Sequence, residues 1–187
     1  MEGKPAAREL GLRSRGGFLQ SDDDFASALT DGAFAKVVVM RLLRDVTGEQ
    51  FAEAISERLA PRARLTGSGA ALEQYVSFLS GRRLAAGTRL ANLWTADGEH
   101  LQVQTAGPPD DGDESDGGGG DGADWQTRPP ELAVASPSLA RGLFEIYLGS
   151  APVVPEARAA WCGGARLLLE SDEVTRDTNK SGGTSFW

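Results

Sequence analysis

Residues 143–158 read LFEIYLGSAPVVPEAR and lead, after two alanines, into WCGGARLLLE at 161–170. Pro137 opens a run, SLARGLFEIYL, whose apolar residues recur at helical spacing and which stops at Leu148-Gly149. A short loop with Pro152 follows. Pro155 then stands where a proline is best placed in a helix, at its first position, so a second helix is expected over PEARAAWCGGARLLLE. The chain therefore ends in two helices joined by a Gly- and Pro-bearing turn, with a polar and loose tail expected over 171–187.

Upstream, VTGEQFAEAISERL at 46–59 carries Thr47 and Gln50 at capping-box spacing. Phe51, Ala54, Ile55 and Leu59 recur at three and four, which predicts a helix with one apolar face, ended by Pro61. ALEQYVSFLSGRRLAAGTRL at 71–90 predicts a second helix with Leu72, Tyr75, Val76 and Leu79 on one side, closed by Gly81. AKVVVMRLL at 35–43 is β-branched and apolar, the composition of a buried strand. TRLANLWT alternates as a half-exposed strand and turns at Asp97-Gly98 into HLQVQT, a hairpin, and ELAVAS resumes the sheet. Ser21 followed by three aspartates predicts a capped helix start, and residues 1–17, polar and without periodicity, read as a flexible arm. Strands and helices in separate blocks give an α+β domain, an antiparallel sheet with a layer of helices, over 18–170.

The net charge of −8 misleads until it is located. The block DDGDESDGGGGDGAD at 110–124 holds seven acids and no base, and the rest of the chain carries only −1. A near-neutral body lacks the clustered basic footprint of a nucleic-acid surface. Arg58, Arg62 and Arg64 do cluster, but toward a helix C-terminus, where cations are favoured in any case. The acidic block buries too little apolar surface to offset its ordering entropy, so a disordered insertion is expected over 107–128. Its acids lack the spacing of a calcium loop. With one cysteine, Cys162, and one histidine, His100, neither an intrachain disulfide nor a Cys/His zinc site can be assembled. No cofactor or metal is implied. No apolar run is long enough to span a bilayer and the first residues lack a signal-peptide core, which points to a soluble intracellular protein.

The three stretches at 46–59, 71–90 and 143–170, in this order and at these spacings, resemble the chalcone isomerase-like superfamily. The resemblance implies an open-faced β-sandwich, a helical layer over a ligand cleft, and a chain shortened at its N-terminus, because the family's opening strands have no counterpart in residues 1–17. Enzymes of that family close a hydroxychalcone to a flavanone, which requires groups that stabilise a phenolate. Their catalytic Tyr, Asn, Lys and Thr positions fall here on Phe51, Arg58, Leu42 and Ile146. A phenyl ring cannot donate a proton and isoleucine cannot orient a hydroxyl. The character is closer to the plant fatty-acid-binding branch, which is not catalytic. By this resemblance Val46, Phe51, Ala54, Ile55, Ile146 and Tyr147 line an apolar cleft, and Arg41 or Arg58 takes a carboxylate; read without the resemblance, Arg41 is a salt-bridged strand arginine and Arg58 an ordinary helix-end charge. Three functions stay open: a binder of fatty acids or other small hydrophobic ligands, a chalcone-flavanone isomerase, and a partner of family members through open sheet edges. The plastid stroma is implied by the resemblance alone.

Overall fold

A computed structural model describes residues 4–107, 125 and 128–181. These divide into two compact units, one from the residues up to 34 with those from 144 onward, the other from 35–143.

In the first unit, α1 spans Lys4–Arg15, α2 Asp22–Asp31 and α6 Pro155–Ser181. Helix α1 replaces the expected flexible arm. The stretch from Pro5 to Arg13 is rich in good helix formers, Glu9 and Arg13 pair one turn apart at 2.9 Å, and Ala7 and Leu10 are buried. Glu9 also accepts the backbone N–H of Ala33 at 2.8 Å, tying α1 to the end of α2. Tertiary burial of a weakly periodic segment is what the sequence pattern alone could not show. The Ser21 expectation holds: its hydroxyl accepts from the Asp24 N–H, and the Asp24 carboxylate accepts from the Ser21 N–H at 2.8 Å. Arg158 and Arg166 of α6 pair with Asp23 and Asp22 at the start of α2. Helix α6 does not stop near 170; its backbone stays helical to Ser181.

In the second unit, β1 (Lys36–Arg41), β4 (Arg89–Trp94), β5 (His100–Ala106) and β6 (Leu132–Ala135) form an antiparallel sheet in the order β1-β4-β5-β6. Asp97 and Gly98 do make the β4–β5 turn, with Gly98 at φ 78°. Two strand expectations need correction. Leu90 to Trp94 are buried without interruption, because β4 is an inner strand covered on both faces, not a half-exposed one. β1 lies at the end of the strand order, so among its residues only Val38 is fully buried, and Val37 is exposed.

β2 (Val46–Thr47) pairs with β3 (Arg83–Leu84), bracketing the helices α3 (Gly48–Thr66) and α4 (Gly69–Ser80). The capping box of Thr47 and Gln50 forms as expected. Gly48 must be glycine: a Cβ there would stand 2.1 Å from the Leu79 carbonyl oxygen. Helix α3 continues through Pro61 to Thr66. The missing proline N–H orphans only the Glu57 carbonyl, and Glu57 and Pro61 are both exposed, where solvent satisfies it. Gly67, at φ 70°, ends the helix. The pair α3/α4 covers the sheet face of Leu90, Asn92 and Trp94, as the hydrogen bond from Tyr75 of α4 to Asn92 shows. Helix α5 (Pro137–Leu148) begins in this unit, where Gly142 packs against Leu59 and Arg62 of α3.

Of the expected insertion, residues 108–124, 126 and 127 lie outside the described residues. Trp125 falls inside its bounds and is buried, 3% exposed.

Candidate binding site

Helix α3 carries Phe51, Ala54, Ile55 and Arg58, half of the expected site residues. Its buried stripe is Ala52, Ile55, Leu59 and Ala63. Of the expected residues, Ile55 lies on the stripe, Phe51 and Val46 are half-buried, and Ala54 and Arg58 are exposed. Ile55 and Leu59 stay on the stripe, but Ala52 and Ala63 join it in place of Phe51 and Ala54, because small alanines allow close packing where a hydropathy pattern favours larger side chains. Arg41 is exposed at the end of β1, and Leu42, half-buried, follows it.

Ile146 and Tyr147 belong to the other unit. Ile146 is half-buried and its carbonyl accepts from the Val153 N–H at 3.0 Å, closing the Leu-Gly turn. Tyr147 is buried with the Trp161 ring edge-on at 6.1 Å. Burial pushes the Tyr147 phenol up to about 12.

Two open grooves flank α3. One, of about 560 Å³, runs between α3 and α4 and is lined by Ala52 and Val76 but also by Glu49, Glu53, Glu57 and Arg64. The other, of about 600 Å³, lies at the β2–β3 pair, with Val46, Thr47, Gln50, Arg82 and Arg83 on its wall. Both are open to solvent, and their walls mix charged groups with a slightly larger apolar surface. Phe51 and Ile55 line neither.

A second concentration of polar groups lies in the sheet and was not anticipated as a site. In the β1–β4 register Arg41 stands opposite Arg89, and in β4–β5 Ala91 stands opposite Gln104, so these side chains share the sheet face turned away from Asn92. The Gln104 amide nitrogen donates to the carbonyls of Trp125 and Arg128, at 2.8 and 3.0 Å. The guanidinium of Arg89 lies 5.9 Å from the Trp125 ring centre and that of Arg128 5.3 Å. Arg89 Nε, Trp125 Nε1 and Gln104 Oε1 are buried with no hydrogen-bond partner. A tryptophan set in a block of glycine and acid was the one sequence signal for it.

On the opposite face Arg82 binds Glu131 and Thr105. Partial burial works against the Glu131 carboxylate, but hydrogen bonds from the Thr105 N–H and hydroxyl, with the Arg82 charge, hold it below the usual carboxylate range. Burial raises the Cys162 thiol, whose sulfur faces the Asp22 carbonyl at 3.5 Å. Among the described residues no group of three or more His, Cys, Asp or Glu side chains could hold a metal ion, and no helix is long and apolar enough to cross a membrane.

No protein-family profile matches this chain, and no curated protein sequence does. Among solved structures it is similar to a fatty-acid binding protein of Arabidopsis thaliana, at a TM-score of 0.62 and 14% identity, over 87% of this chain and 75% of the other. At that identity the likeness is one of architecture, and it agrees with the sheet and helical layer described above: the chain has an α+β fold of the chalcone isomerase-like kind.

Proposed function

We propose that this chain is a non-catalytic binder of a fatty acid or a similar small hydrophobic acid. The observation that carries the reading is the structural likeness to a fatty-acid binding protein. The side chains at the aligned catalytic positions favour it over an isomerase. Phe51, Leu42 and Ile146 offer no polar group, and Arg58 is exposed on α3. Burying about ten methylenes at roughly 0.8 kcal/mol each supplies a gross ~8 kcal/mol, enough for useful affinity after ordering costs. A buried acid head group needs donors, since leaving it unpaired costs several kcal/mol.

The test is a thermal melt of delipidated protein with and without oleate. A ligand that binds only the native state at 100 times its dissociation constant adds about 2.7 kcal/mol, a shift of several degrees. An unchanged melting temperature at saturating oleate would sink the reading, and turnover of a hydroxychalcone would replace it with the isomerase.

Association through the sheet edge is a second reading, favoured by exposed Val37 on β1 and by Leu43, 91% exposed just beyond it. Sedimentation velocity of the ligand-free chain separates it from a monomeric carrier.

A further inference from the structure

We propose that Arg89 and Trp125, framed by Gln104 and with Arg41 and Arg128 beside them, form a receptor for a carboxylate on the sheet face turned away from α3 and α4. The proposal rests on the preceding subsection for the ligand's apolar body and names what holds its acid end.

Three observations converge. Buried donors are ordinarily satisfied, and Arg89 Nε and Trp125 Nε1 are not. Arg41 and Arg89 are directly opposed across the ladder, an arrangement of like charges that costs stability in the absence of an anion. Arg128 adds a third guanidinium to the group and, after Arg89, the second against this indole.

The frame is rigid. Gln104 is fixed by two backbone carbonyls, and Trp125 is held through one of them, so the donors do not have to be ordered on binding. Gln104 Oε1 is an acceptor and faces no donor, which disfavours a bare anion, but the indole N–H and the guanidinium groups outnumber it. A guanidinium fork matches a planar carboxylate in geometry as well as charge.

The experiment uses the full chain with 15N-labelled indoles. The chain has four tryptophans, and Trp125→Phe assigns the resonance of interest. Hexanoate is titrated as the probe, with hexanol as its uncharged counterpart. The Trp125 Nε1–H resonance is expected to shift saturably with hexanoate and not with hexanol. Arg89→Gln is expected to weaken hexanoate roughly tenfold or more, the scale of a hydrogen bond to a charged group. A stationary Trp125 resonance, an equal response to hexanol, or undiminished affinity in Arg89→Gln overturns the site. An equal response to inorganic phosphate overturns its assignment to carboxylates.

If Arg89→Gln does not fold, Arg128→Gln and Trp125→Phe carry the same comparison by calorimetry. Oleate separates this proposal from the functional reading. Oleate binding with Trp125 unmoved sinks the site and leaves the carrier; no oleate binding with a hexanoate shift intact sinks the carrier and leaves an anion site.

Discussion

The hydroxyl of Tyr75 donates to the amide oxygen of Asn92 at 2.9 Å, joining α4 to the central strand β4, and both side chains are wholly buried. Tyr75→Phe strands the Asn92 oxygen beside an amide nitrogen that already lacks a partner. The expected loss is about 1–3 kcal/mol, read as a lower denaturant midpoint. Adding Asn92→Leu should recover part of it, since removing both partners costs less than removing one. A double variant no more stable than the single would refute this account.

Gly48→Ala should be far more damaging than its size suggests. The new methyl meets the backbone of Leu79 and Arg82, which cannot rotate away, and the Gly48 N–H bond to the Arg82 carbonyl breaks as the segments part. Overpacking of this kind costs about 3 kcal/mol or more. Gly164, exposed inside α6 with open space around it, is the counterpart. Gly164→Ala should stabilise by about 0.8–1.0 kcal/mol through helix propensity. Melting temperatures that move in the same direction for both would contradict the structure.

Acid should weaken the protein partly through Glu131. Its carboxyl lies below its ordinary 4.5 in the fold, so its contribution is fully present above that value and is lost as pH falls through the lower folded one. Glu131→Gln should flatten the stability profile in that acid window and leave the slope near neutrality unchanged. Urea midpoints measured from neutral pH downward decide it.

Tyr147 gives the alkaline counterpart. Its phenol titrates near 12 in the fold, so the stability its burial confers on the neutral form is complete below the ordinary 10 and declines as pH rises toward 12. The Tyr147 contribution to an ultraviolet titration, read as the difference between the native chain and Tyr147→Phe, should fall at about that pH.

Cys162 is fully buried and its thiol is raised by desolvation. A thiol reagent should therefore modify the native protein slowly and the urea-unfolded protein at once. Rapid native labelling would mean that the α2–α6 contact opens readily.

Local chemistry was legible in the order of residues. The Thr47/Gln50 box, the Ser21 cap and the Asp97-Gly98 turn each depend on neighbours within a few positions, and each formed as read. What needed the third dimension was not. Helix α1 depends on burial of Ala7 and Leu10, passage through Pro61 depends on which carbonyl faces water, and the buried stripe of α3 depends on alanines that hydropathy ranks low. The arginine face followed the same rule: Arg41 was singled out, but Arg89 became its neighbour only through strand register, and Trp125 only through the grip of Gln104.

That grip reaches past the site. Gln104 fastens the returning chain, at Trp125 and Arg128, straight onto β5, so the β5–β6 register does not depend on the path taken between them. One amide thus acts as a splice, setting from the sheet itself where the last strand enters the ladder.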